Sequence, residues 1–310
     1  MIRRPFDVWL LILSMAGFLA LIAGGTAEEP KSPPKASPRP VGLRLVGNGR
    51  SWYTENCEPL CKAAGITGHR KNRPAETVES LTPLLENGEI DAYVWCHSSG
   101  GPAIGKLLPV LLELGPQHNP HFHGIYVQVP WLVHDGRDDA NKFSKTNDEY
   151  NQTNLAEMQI KLEKVRMEHE IWADAINAKA GKRIVFLVPL GDAMLEVRKM
   201  IAAGKFPGVT KQSGKISDAS NAPGQLPSSV LAGDNMPHPG DLARLLGNYM
   251  HFAAIYGMSP EGLPWENGYG FNAEQNKILE KLAWDMVSRY PYAAISPPPN
   301  PKPDPVTPRR

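Results

Sequence analysis

Four short runs rich in β-branched or aromatic residues read as strands: Gly42 to Gly47, Asp91 to Cys96, Ile125 to Val129 and Arg183 to Pro189. Helical patterns lie between them, at Glu55 to Ala64, Ala75 to Glu86 and Pro102 to Leu114. Strands that alternate with helices predict an α/β fold, a mostly parallel sheet covered on both faces in three α/β/α layers.

The clearest helical pattern runs from Asn154 to Ala180. Leu155, Met158, Leu162, Val165, His169, Trp172 and Ile176 recur at steps of three and four and make one apolar stripe. Gly181 suits a helix C-cap, and a buried strand follows at once. His169 lies on the stripe and reads as a packed histidine. Helical patterning resumes from Gly191 to Ala203, capped by Gly204, and again from Pro239 to Gly257. Between these, Gly208 to Gly233 has no clear period and is rich in Ser, Gly and Pro. It reads as a long loop, a kind that often carries function.

The two ends have a different composition. Residues 1–27 resemble an export signal: Arg3 and Arg4 precede an apolar run from Val8 to Ala23, and Gly25-Thr26-Ala27 offers small residues for cleavage. Left uncleaved, the segment would serve as an N-terminal membrane anchor, although its apolar run is short against the roughly 20 residues of a span. Residues 28–40 form a proline-rich linker and residues 296–310 a proline-rich tail, neither able to bury a core. Residues 41–295 remain, enough for one large α/β domain. The expected location is therefore outside the cytoplasm.

The chain carries 33 Lys and Arg against 32 Asp and Glu. Residues 1–27 hold Arg3, Arg4 and Asp7, so the remainder is formally neutral. Phosphate backbones require a surplus of positive charge, so no nucleic-acid partner is expected. The cysteines are Cys57, Cys61 and Cys96. They read as small buried thiols; a disulfide is permitted in an exported chain, and Cys57, Cys61 and His97 could form a metal site.

Ligands of open parallel sheets bind beyond the carboxyl ends of the strands. The first strand is followed by Asn48, Gly49, Arg50, Ser51 and Trp52, and the second by His97, Ser98, Ser99, Gly100 and Gly101. The third gives Pro130, Trp131, His134 and Asp135, the fourth Gly191 and Asp192, and a late loop brings Asp234 and His238. Such an inventory suits a nucleophilic hydrolase. Imidazole would take the proton of Ser51, Asp234 would orient His238, and the Ser98-Ser-Gly-Gly101 turn could stabilise an oxyanion. Trp52, Trp95 and Trp131 stand at or just beyond strand ends and could line one cleft suited to sugar rings or acyl groups. His118, His121 and His123 could hold a divalent ion but read as a surface cluster. Asp135-Gly-Arg-Asp-Asp139 lacks the spacing of a calcium loop and reads as a polar turn. His251, on the last helical pattern, reads as a packing or surface residue.

An early Gly47-Asn48 followed by a serine, with Asp234 and His238 running into Tyr249-Met-His-Phe-Ala-Ala-Ile-Tyr-Gly257-Met-Ser-Pro-Glu-Gly262, resembles the SGNH, or GDSL-type, hydrolases. The resemblance spans residues 41–265. It implies a flavodoxin-like sandwich and a metal-free, cofactor-free esterase or carbohydrate deacetylase working through an acyl-enzyme. Ser51 would be nucleophile, His238 base, Asp234 its orienting carboxylate. The Ser51 amide and Gly100 would be the oxyanion donors, and Asn48, Trp52 and Trp131 would complete the oxyanion and substrate-binding set for the ester of a small molecule or polysaccharide. Three departures stand beside it. Gly49 occupies the place of the family serine, Asp234 and His238 are four rather than three apart, and Cys96-His-Ser-Ser-Gly100 lacks the family asparagine. They imply an alternative, a cell-envelope binding protein that keeps the fold and has lost turnover.

Overall fold

The computed structural model describes residues 41–72, 74–97, 104–136, 145–215, 228–232 and 238–295. The expected signal or anchor, linker and tail lie outside these residues.

Five parallel strands form one sheet: β1 (Arg44–Asn48), β2 (Arg70–Lys71), β3 (Ala92–Trp95), β4 (Gly124–Gln128) and β5 (Val185–Val188). Their order is β2-β1-β3-β4-β5. Every neighbouring pair is parallel, with Asn48 opposite Trp95 and Trp95 opposite Val127. All residues of β4 are buried, as expected of a strand covered on both faces. Each expected strand exists with its ends shifted by a residue or two. Strand β2 went unread because it is two exposed charged residues, with no apolar pattern to mark it.

The helices are α1 (Glu58–Ala63), α2 (Val78–Glu86), α3 (Leu107–His118), α4 (Asn147–Asn151), α5 (Leu155–Ala180), α6 (Leu190–Ala202), α7 (Asp241–Tyr256) and α8 (Ala273–Arg289). They flank the sheet in an α/β/α sandwich. Helix α2 packs on α3, and α7 packs on α8, α6 and α1. Of the predicted stripe of α5, Met158, Leu162 and His169 are buried and Leu155, Val165, Trp172 and Ile176 half-buried, while Glu170 and Ala173 beside it are buried too. Asn154 caps its start by accepting from the Ala156 and Glu157 amides, and Gly181, at φ 66°, ends it. Helices α4 and α8 were not anticipated, although Thr146-x-x-Glu149 and Asn272-x-x-Gln275 form capping boxes that mark their starts.

Helix α7 is buried all round: every residue from Leu245 to Tyr256 is inside. Such a helix belongs to the core itself. The loop before it is only partly described. Within it, Leu231 bridges both Ser213 and Pro239, and the Ala232 amide donates to the His238 carbonyl at 2.9 Å. Residues 233–237 between those ends, Asp234 included, lie outside the described residues.

Candidate functional site

In the order β2-β1-β3-β4-β5 the strand sequence reverses between β1 and β3, the crevice where sheets of this topology hold ligands. A cleft of about 380 Å³ opens there, lined by Asn48, Gly49, Ser51 and Trp52 from the β1 end, Glu76 from the approach to α2, and Trp95, Cys96 and His97 from the β3 end. A side pocket of about 130 Å³ shares Asn48, Gly49 and Glu76 with it and adds Gly47, Tyr53, Lys71 and Pro74.

The turn that forms this wall is fixed by close packing. A Cβ at Gly49, whose φ is +153°, would stand 2.5 Å from the Cys96 carbonyl oxygen, so no side chain fits without moving the end of β3. The chain then makes a tight turn over Arg50–Trp52, with the Trp52 amide donating to the Gly49 carbonyl at 2.9 Å. Gln128, fully buried at the end of β4, ties down the next stretch. Its Oε1 accepts from the Thr54 hydroxyl at 2.9 Å and its Nε2 donates to the Trp52 carbonyl at 3.3 Å. Gly247 of α7 makes room for this contact, since a Cβ there would lie 2.2 Å from Thr54 Oγ1. One polar residue in the otherwise apolar run Ile-Tyr-Val-Gln-Val was the signal for Gln128.

Asn48, Ser51 and Trp52 thus line one cleft, with the Ser51 side chain exposed. The Trp52 ring lies 4.9 Å from that of Trp131 and 5.6 Å from that of His238, centroid to centroid. Trp131 is 1% exposed, so it backs the Trp52 ring from inside the core instead of meeting a ligand directly. Asp234 and Gly100 lie outside the described residues. Of the Trp trio, Trp52 and Trp95 line the cleft.

Beneath the side pocket is a buried polar cluster. Burial works to raise the Glu55 carboxyl, but the Lys71 ammonium, the Tyr53 hydroxyl and the Cys57 amide hold it below the ordinary carboxylate range. Lys71 Nζ is 3.2 Å from Glu55 Oε2, donates to the Glu55 carbonyl at 3.1 Å and stands 3.9 Å over the Tyr53 ring. The charge of the partly exposed Lys71 is therefore matched by the buried Glu55. Cys57, Cys61 and Cys96 are buried free thiols. Burial pushes Cys57 well up and Cys61 and Cys96 up to about 12. His251 is also buried: its Nδ1 donates to the Gly247 carbonyl at 2.8 Å and its Nε2 is 4.0 Å from the Cys96 sulfur. Burial lowers its pKa, so thiol and imidazole are both neutral and no thiolate–imidazolium nucleophile forms. Native protein is accordingly expected not to react with a chromogenic disulfide reagent, whereas denaturant should release all 3 thiols; rapid labelling of folded protein would show the burial argument to be wrong.

His118, His121 and His123 are exposed, as their reading as a surface cluster expects, and among the described residues no group of three or more His, Cys, Asp or Glu gathers as metal ligands. Asp135 turns inward to Arg198, while residues 137–140 of that acidic turn are not described. The cleft also has an unforeseen feature. His169 of α5 is fully buried, its Nδ1 donates to the Val165 carbonyl at 2.7 Å, and its Nε2 is 3.0 Å from Nε2 of His97. The stripe position of His169 was legible, but its partner, 72 residues away, was not.

No family model and no curated protein matches the chain. A crystal structure of a DUF4886 family protein from Bacteroides uniformis is similar to it at 11% identity and a TM-score of 0.48, over 80% of this chain and 95% of that one.

Proposed function

We propose that this is an exported SGNH-like protein whose cleft between β1 and β3 binds a carbohydrate, free or esterified, without cleaving it. The observation that carries this reading is Gly49. The resemblance puts the family nucleophile at that position, and the Cys96 carbonyl leaves no space there for a hydroxymethyl group. What remains suits recognition. Trp52, Trp95 and His97 offer ring faces, while Asn48, Ser51 and Glu76 offer hydrogen bonds to hydroxyls. A cleft of about 380 Å³ is of small-molecule size. The matched Lys71–Glu55 pair supports a neutral ligand over an anionic one. Export rests on residues 1–27 alone.

A second reading keeps turnover, with Ser51 attacking, His238 as base and Asp234 orienting it. It is favoured by one contact: His238 packs on Trp52, the neighbour of a serine that lines the cleft. One experiment separates the two. Purified protein is titrated with a panel of oligosaccharides and acetylated oligosaccharides, following tryptophan fluorescence, and each compound is assayed for ester hydrolysis. Binding without turnover is expected, weakened about tenfold by Trp95→Ala through loss of one ring face. Hydrolysis that disappears in Ser51→Ala would replace this reading with the second.

A further inference from the structure

His97 and His169 meet in a way that packing alone does not require. They come from different elements, the segment after β3 and the middle of α5, and their Nε2 atoms converge to 3.0 Å. The ring planes are inclined by 21° with centroids 5.1 Å apart. His169 is 0% exposed, and its Nδ1–H is held by the Val165 carbonyl at 2.7 Å, which leaves its Nε2 lone pair directed at His97. Metal-ligating histidines are oriented in this manner, the outer N–H donated to a backbone carbonyl so that the inner nitrogen faces the ion. His97 itself lines the cleft, so the meeting point is reachable from solvent.

The separation is informative. Two imidazole nitrogens bound to one tetrahedral zinc at about 2.05 Å stand about 3.3 Å apart. The observed 3.0 Å is the length of an N–H···N hydrogen bond and also within a few tenths of an ångström of that chelate. A hydrogen bond accounts for the distance. It also gives the buried His169 acceptor the partner it needs, and the same arrangement presents two imidazole nitrogens together at the cleft wall.

We propose that His97 and His169 are the protein ligands of a divalent first-row transition ion of the zinc class, bound at the inner wall of the cleft. Imidazole nitrogens suit such ions, whereas calcium and magnesium prefer oxygen. Among the described residues no third His, Cys, Asp or Glu joins the pair, and the proposal assigns the remaining coordination positions to water or to oxygens of a bound molecule. The site is independent of the carbohydrate reading: an ion would bind there whether or not a sugar does.

The test is calorimetric titration of tag-free protein with zinc chloride. His118, His121 and His123 are exposed and offer a competing surface site, so the double variant His121→Ala/His123→Ala is measured alongside. One site is expected in the parent and in that double variant, with equal affinity. His97→Ala and His169→Ala should each weaken it roughly tenfold or more. His97 is only half-buried, so His97→Ala carries the decision if His169→Ala fails to fold by circular dichroism. Zinc affinity unchanged in His97→Ala, affinity that vanishes with His121 and His123, or no zinc binding by the parent would each overturn the proposal.

Discussion

Arg198→Met is expected to lower the unfolding free energy by about 3–5 kcal/mol, the cost of leaving one member of a buried ion pair alone. That is a large share of the roughly 5–15 kcal/mol that holds a domain together. Arg198 is 1% exposed and grips Asp135 with both terminal nitrogens, at 2.6 and 3.0 Å. Its Nε donates to Gln212 at 2.8 Å and its Nη2 to the Tyr150 carbonyl at 3.0 Å. Asp135 also accepts from Lys145 at 2.9 Å and from the Thr153 hydroxyl. The cluster joins the turn after β4 to α4, α6 and the start of the long loop. It also holds His134 and Asp135 in left-handed backbone, at φ 49° and 55°, a conformation costing about 1–3 kcal/mol for each non-glycine residue.

The pH dependence has a definite sign. Burial raises the Asp135 carboxyl, but Arg198, Thr153 and Lys145 outweigh it and set the folded value below the ordinary 3.8. A depressed carboxylate stabilises the fold above its unfolded pKa, and that contribution is lost as pH falls through the folded value. The stability this pair gives the parent should thus be lost below about pH 4, and the gap between the parent and Arg198→Met should narrow there as Asp135 is protonated. Urea titrations at neutral pH and below about pH 4 measure both effects. An Arg198→Met variant that unfolds with the parent's midpoint at pH 7 would remove the cluster from the stability argument.

The second large effect is expected at Gly49. Gly49→Ser restores the residue type that the SGNH resemblance calls for, yet it should cost about 2 kcal/mol or more and yield no esterase. The new Cβ would press on a backbone carbonyl, the Cys96 oxygen at 2.5 Å, at a φ of +153° that side chains rarely adopt. That oxygen is backbone, one residue past the end of β3, and cannot swing aside as a flexible side chain can. Gly181→Ala is the control: its φ is 66° but nothing lies within 4 Å, so only the conformational cost of about 1 kcal/mol applies. Thermal unfolding of the two variants compares strain with and without collision. Should Gly49→Ser fold normally and hydrolyse short acyl esters, the cleft would be an active site lacking only its nucleophile, and the binding proposal would fail.

These residues show where sequence reasoning reaches and where it stops. Periodicity located α5 to within a residue and the four longer strands nearly so, because one buried face or one buried core imposes a repeat. Alternation of strand and helix was enough for the sandwich. Strand ends then named much of the cleft: Asn48, Ser51, Trp52, Trp95 and His97 all follow or close a strand. The failures have one cause. Strand β2, which carries Lys71 to the side pocket, is only two residues long, and Glu76 reaches the cleft from just ahead of α2 and not from a strand end. Trp131 stands at a strand end like the others, but the sign of its position, backing or lining, depends on which neighbour covers it. Asp135 read as a solvated turn because Arg198, its partner, is 63 residues away. Pairing across the fold leaves no trace in local spacing.

The burial of α7 has a further consequence during synthesis. Tyr256, at its end, accepts the amide of Leu43 at 3.1 Å just before β1, across 213 residues of chain. Gly247 houses the Thr54 contact that shapes the cleft. Strand β1 therefore waits for α7, and contacts of such long sequence separation slow folding. Until residue 256 has emerged, the sheet has an open apolar face, the kind of surface on which incomplete chains aggregate. A message truncated before Asp241 would consequently produce no smaller working version of this protein, since the helix it omits is the centre of the core and not an appendage to it.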